Sequence, residues 1–123
     1  MSTAAYTFDV LNGDGENTRI HYVMSVEGRK LKEGDIVLEG RLEPDDIETI
    51  RSYLADNDGF RPDTVGVPDL SEMMPLSWVP TGDERHDISK ISYTNSKPTS
   101  GAVDAAHFST AFEVFDYRAS LTM

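Results

Sequence analysis

Cysteine is absent from this chain of 123 residues, and lysine is scarce, with four residues against thirteen aspartates. Without cysteine there is no disulfide framework, no thiolate zinc site, no iron–sulfur cluster and no cysteine nucleophile. No apolar run approaches the roughly 18 residues that a membrane-spanning helix needs. The first residues carry neither the basic region nor the apolar stretch of a signal peptide, so we expect a cytoplasmic protein that binds no membrane.

Acidic side chains dominate the charge, since 22 Asp and Glu stand against 11 Lys and Arg and give a formal charge of −11. A nucleic-acid-binding surface normally carries a cluster of cations that contacts about six or more phosphates, and no such cluster is present. Direct binding to nucleic acid is therefore disfavoured. The acidity itself has three interpretations: general solubility, a host with high internal salt, or a surface that faces a basic partner.

The length favours a single domain, residues 1–123, because chains of about 100 to 200 residues usually form one core. Alternation of apolar and polar side chains predicts strands at residues 6–10 and 20–26, joined as a hairpin by a turn at 12–15. A third strand is expected over residues 36–42 and a fourth over residues 89–93.

Helix signals are strongest after the third predicted strand. Glu43 suits the N-cap, Pro44 the first helical position, and two aspartates follow in the first turn, while Gly59 is a natural stop. The segment from Asp104 is ambiguous, because its apolar spacing fits a helix while its aromatic content also suits a strand. We choose a helix.

These elements together predict an α+β fold, in the order β-β-β-α-(long loop)-β-α. The sheet would be mostly antiparallel, with about four strands, and two helices would pack on one of its faces. The long loop, residues 60–83, contains four prolines that interrupt regular structure but is also rich in apolar side chains. Loops of this length are uncommon in compact domains and tend to be functional.

The long loop has two interpretations. Its apolar side chains would complete the core by covering the open face of the sheet, or they would bind a partner, because Trp and Met are enriched in the cores of protein interfaces. If the loop binds a partner, the apolar side chains that would be buried in the interface, here called anchors, are expected to be Met73, Met74, Leu76 and Trp78. The acidic rim around them would consist of Asp69, Glu72, Asp83 and Glu84.

Two other patterns are better explained by structural roles. Residues 12–15 match the middle of an EF-hand calcium loop, but His21 stands where the bidentate Glu is required, so a turn is favoured. His21, His86 and His107 fall on different predicted elements, and we expect neither a metal site nor a cofactor. An enzyme remains an alternative. It would require a cavity with His86 or His107 within hydrogen-bond reach of a carboxylate.

The sequence thus favours a non-catalytic, acidic protein-binding module, such as an inhibitor, an immunity-type protein or a regulatory accessory protein. Its expected partner is a basic protein, which the acidic rim would attract. One alternative is an acidic mimic of nucleic acid that inhibits a basic nucleic-acid-binding protein. A homodimer joined through the long loop is a further alternative.

Overall fold

The computed structural model describes residues 8–11, 13–57 and 59–121. The described residues form a four-stranded sheet in the order β1-β4-β2-β3. β1 runs parallel to β4, whereas β4 and β2, and β2 and β3, are antiparallel. The strands are β1 (Asp9–Leu11), β2 (Asn17–Val26), β3 (Arg29–Leu38) and β4 (Arg85–Thr94). The fold is therefore α+β with a mostly antiparallel sheet, as the sequence predicted.

Two long helices, α1 (Pro44–Asn57) and α3 (Ala105–Leu121), pack against each other. Between them in the chain lie the short α2 (Pro62–Val65) and a 3₁₀ helix (Leu70–Met73). The helix chosen for the C-terminal segment is thus confirmed. No helix within the described part of the chain is both long and apolar enough to cross a membrane.

The predicted hairpin around residues 12–15 is wrong. β1 pairs with β4, with Val10 opposite Ile91, and the actual hairpin joins β2 to β3 through Glu27 and Gly28, which both have positive φ. Turn-forming residues occur both in hairpins and in connections between strands that are not neighbours in the sheet. The local sequence therefore could not show which kind of connection joins β1 to β2. Residues 6 and 7 of the predicted first strand lie outside the described residues.

One face of the sheet forms the floor of the core, because every second side chain of β2 points toward the helices. A bulge opposite His21 and Tyr22 adds one residue to β4, so that Ile88 and Ile91 both face inward. The third strand ends at Leu38, so Leu42 reaches the core from beyond the sheet. The fully buried side chains include Ile20, Tyr22, Met24, Ile36, Leu38, Ile50, Leu54, Leu70, Ile88, Ile91, Phe108 and Phe112.

The start of α1 agrees with the sequence signals. Asp46 Oδ2 accepts a hydrogen bond from the Glu43 N–H at 2.9 Å, and the Glu43 carbonyl accepts from Ile47 N at 3.0 Å. Asp46 Oδ1 also accepts from Ser109 Oγ of α3 at 2.8 Å. One carboxylate therefore both caps α1 and joins it to α3.

Candidate protein-binding site

The segment between α1 and β4 contains more regular structure than its prolines suggested. Pro62 begins α2 rather than breaking an element, because a residue in the first turn needs no partner for its N–H. Asp69 caps the 3₁₀ helix, and its Oδ1 accepts from Ser71 N at 2.9 Å and Ser71 Oγ at 2.7 Å. The longest stretch of the segment without helix or strand is residues 74–84, all of them described.

The first part of this segment completes the core. Val65, Val67 and Leu70 are buried in it, and the Tyr22 hydroxyl donates to the Pro68 carbonyl at 2.7 Å. Burial, assisted by nearby carboxylates, raises the pKa of Tyr22 to about 12, so the hydroxyl keeps its proton. This neutral hydrogen bond fixes the chain just before the 3₁₀ helix.

The next part, residues 73–79, turns apolar side chains outward, and we call it the anchor segment. Met73 is 51% exposed, Leu76 105% and Val79 74%. A turn closed by Trp78 N and the Pro75 carbonyl, 2.9 Å apart, brings Leu76 to its tip. Met74 and Trp78 behave differently, since both are half-buried against the core.

The structure therefore divides the four predicted anchors into two kinds. Met73 and Leu76 are exposed. Met74 and Trp78 are partly buried, because they pack against the core. Val79, which sequence analysis did not select, belongs with the exposed pair. Trp78 is not fully buried, so it keeps a surface that a partner can touch, but replacing it would disturb the core as well.

Three of the four acidic side chains predicted for the rim lie around one cavity of about 640 Å³. These are Asp69, Glu72 and Glu84, whereas Asp83 lines two neighbouring depressions instead. Sequence analysis missed two further charged residues of this cavity. They are Arg61 and Asp63, which α2 brings to its edge.

Glu84 also closes the turn that precedes β4. Its Oε2 accepts from Thr81 N at 2.6 Å and Thr81 Oγ1 at 3.1 Å, and its Oε1 accepts from Gly82 N at 3.2 Å. These hydrogen bonds, first of all the one from the Thr81 backbone, hold the pKa of Glu84 below its ordinary value. Glu84 is therefore ionised at neutral pH, and it adds negative charge to the cavity while fixing the turn before β4.

His86 lies in the wall of the same cavity and is almost fully buried. Its Nε2 accepts the Leu70 N–H at 3.2 Å and lies 3.4 Å from Asp69 Oδ1. A ring nitrogen that accepts a hydrogen bond carries no proton, so the imidazole proton is on Nδ1. Burial holds the pKa of His86 below its ordinary value, against the opposing effect of the charges on Asp69 and Glu84.

The cavity thus has the arrangement that the enzyme alternative required, a histidine beside a carboxylate. The lone pair of Nε2 is already bound to the Leu70 N–H, and accepting a substrate proton would break that bond. Burial opposes ionisation of Asp69, but hydrogen bonds from Ser71 outweigh it and hold the pKa of Asp69 below its ordinary value. The geometry fits a neutral histidine that ties the 3₁₀ helix to β4.

The other two histidines lie elsewhere. His107 donates its backbone N–H to Asp104 Oδ1 at 2.7 Å, at the start of α3. His21 lies on the open face of the sheet, with Nδ1 2.6 Å from Asp35 Oδ1 and Nε2 2.8 Å from Glu33 Oε1. Within the described ranges, no three His, Cys, Asp or Glu side chains are grouped so that they could hold a metal ion.

Replacing His21 with Gln is expected to remove a loss of stability at alkaline pH. Partial burial lowers the pKa of His21, but hydrogen bonds to Asp35 and Glu33 outweigh it and raise the pKa above 6.5. Charged His21, paired with Asp35 and Glu33, therefore stabilises the wild type fully below pH 6.5. This stabilisation is lost as the pH rises through the folded-state pKa of His21. Urea denaturation between about pH 6 and 9 should show a decline of up to ~1 kcal/mol in the wild type. An equal decline in H21Q would contradict this assignment.

No family model matches the chain, and neither the curated proteins nor the solved structures contain a match to it.

Proposed function

We propose that this chain is a non-catalytic protein-binding module whose contact surface is centred on the anchor segment. The observation that carries the proposal is the exposure of Met73, Leu76 and Val79 within seven residues. Large apolar side chains grouped on a surface commonly mark interaction sites. Full burial of one such side chain in a complex would contribute about 1.5 to 3 kcal/mol.

The charge of the chain favours a basic partner over a second copy. For two spheres of about 18 Å radius and a Debye length of about 8 Å, two copies with the charge of −11 repel by roughly 1 kcal/mol at contact. A partner of equal positive charge would be attracted by the same amount. A basic protein that the module inhibits, protects against or regulates therefore fits best.

The apolar and acidic side chains would have different tasks in binding. The anchor segment would supply most of the affinity and slow dissociation, because buried apolar contacts dominate interface energies. Glu72 and Asp83 are exposed beside it and would speed association with a basic surface in a salt-dependent manner. This division of tasks distinguishes the module from a nucleic-acid mimic, in which the acidic side chains would supply both the fast association and the affinity.

A photo-cross-linking amino acid at position 76 tests the proposal. In an extract of the native host it should yield a discrete product that unlabelled wild-type protein competes away. The double variant Leu76→Ser, Val79→Ser should not compete. The same cross-linker at Leu11, which is 48% exposed on β1, is the matched control and should not yield the product. Failure to form a competed product at position 76, or an equal yield from position 11, would contradict the proposal.

A further inference from the structure

A second cavity, of about 430 Å³, lies between the start of α1 and the end of β4. It is far from the first cavity, because Tyr93 in its wall lies seven residues beyond His86 on β4, roughly 23 Å along the strand, and no residue of the anchor segment lines it. Leu42 and Ile47 are buried and give it an apolar floor, and Val10 extends that floor. Its volume lies within the range of about 300 to 1,000 Å³ that is typical of small-molecule sites.

Two arginines line this cavity, and both are stacked on aromatic rings. Arg41 Cζ lies 3.8 Å from the centroid of the Tyr93 ring, and Arg51 Cζ lies 4.7 Å from that of Phe8. Arg41 Nη1 also donates to the Gly13 carbonyl at 2.9 Å and to the Gly15 carbonyl, which leaves the N–H groups on Nε and Nη2. Stacking fixes the plane of a guanidinium and leaves its N–H edge directed away from the ring. Both cations are thus positioned before any ligand arrives.

Two carboxylates, those of Glu43 and Glu48, also line the cavity. Glu48 Oε2 lies 3.9 Å from Arg51 Nε, which is beyond hydrogen-bond distance, and the Glu48 side chain is largely exposed to water. Arg51 Nε is buried and has no hydrogen-bond partner among the described residues. Glu43 is exposed at the rim. Arg51 therefore keeps an N–H group that makes no hydrogen bond within the described residues, although Glu48 lies close enough for an ion pair.

We propose that this cavity binds a small amphipathic carboxylate. Arg51 and the N–H groups of Arg41 that are not donated to Gly13 and Gly15 suit the two oxygens of a carboxylate, which guanidinium groups bind through parallel N–H donors. Leu42 and Ile47 would hold the hydrocarbon or aromatic part of the same molecule. An inorganic anion would use the arginines alone and leave the apolar floor uncovered. The site is separate from the anchor segment, and it does not depend on the proposed function.

The probe for this site is 3-phenylpropionate, titrated into the ¹⁵N-labelled full-length protein. The Arg51 Nε–Hε signal should be observable, because burial slows its exchange with water. It should shift in a saturable manner, with a dissociation constant of roughly 1 mM for a ligand of this size. The uncharged isostere 3-phenylpropanamide should bind the same wild-type protein at least about tenfold more weakly, since it lacks the charge that the arginines recognise.

Variants assign the binding to the two arginines. Arg41→Gln, followed through the Arg51 Nε–Hε signal, and Arg51→Gln, followed through the backbone amide of Ile47 in the same cavity, should each weaken binding at least about tenfold. Arg61→Gln, which changes an exposed arginine at the other cavity, should leave binding unchanged. The proposal is overturned if the wild type shows no saturable shift up to about 20 mM probe, well above the expected dissociation constant. It is also overturned if the amide binds as tightly as the carboxylate, a comparison that needs no variant to fold.

Discussion

Replacing both Leu76 and Val79 with serine is expected to weaken partner binding by about 2 to 4 kcal/mol, which is roughly 30-fold to nearly 1,000-fold in the dissociation constant. Both side chains are exposed in the free protein, so their loss should leave folding intact. The apolar area that they would bury in the complex is what disappears. Surface plasmon resonance with the purified partner should show the effect mainly as faster dissociation.

Two comparisons make this expectation specific. Leu11→Ser removes an equally apolar, exposed side chain from β1 and should change the affinity by less than about 0.5 kcal/mol. Glu72→Gln with Asp83→Asn should slow association and weaken its salt dependence, while dissociation changes little. Unchanged affinity in the Leu76, Val79 variant would contradict the role of the anchor segment. An affinity that followed the rim charges alone would instead favour a nucleic-acid mimic.

Replacing His86 with Ala is expected to destabilise the fold by about 3 to 5 kcal/mol, the second large effect. The imidazole packs near the rings of Tyr22 and Phe60, with centroids 6.3 and 6.0 Å away, and accepts the buried Leu70 N–H. Alanine would leave both a cavity and an unpaired donor. Phenylalanine would keep a ring but lose the acceptor, so H86F should cost about 1 to 3 kcal/mol.

Urea denaturation at neutral pH measures these costs. His107→Phe is the control, because the His107 side chain is exposed on α3 and this substitution should change stability by less than about 0.5 kcal/mol. If H86F were as stable as the wild type, the hydrogen bond from Leu70 would not hold the 3₁₀ helix as described.

The same histidine should govern stability at acidic pH. Because the folded-state pKa of His86 lies below 6.5, the unfolded chain takes up a proton that the folded protein resists. The contribution of His86 to stability is therefore complete above pH 6.5 and falls as the pH drops toward the folded-state pKa, the opposite of the trend for His21. In H86F this acidic decline should be reduced.

Local signals were sufficient for the parts of the fold that local chemistry determines. The Glu43-Pro44 start of α1 was predictable because its cap uses neighbouring residues. Alternation likewise revealed β2 and β4, but it placed the third strand at residues 36–42, whereas β3 is Arg29–Leu38. The position of β1 was not predictable, since its partner β4 lies at the other end of the sequence. The bulge that lets both Ile88 and Ile91 face the core depends on pairing with β2 in the same way.

The candidate site was predictable only in part, and for a similar reason. The apolar content of residues 73–79 identified the segment, but sequence could not separate Leu76, at the tip of a turn, from Trp78, which packs on the core. His86 gave no local sign of its role, because its partner Leu70 is brought to it by the 3₁₀ helix. The pairing of Arg41 and Arg51 around one cavity likewise depends on how α1 packs beside β4.

Methyl NMR of the methionines tests the role of the anchor segment most directly. Met73 is 51% exposed in that segment, whereas Met24 is fully buried in β2, so the two methyl groups report on the proposed contact surface and on the core. At saturation with the partner, the Met73 signal is expected to shift strongly and lose its contact with water, while the Met24 signal stays in place. A Met73 signal that remains unchanged and accessible to water in the saturated complex would contradict the proposed binding surface.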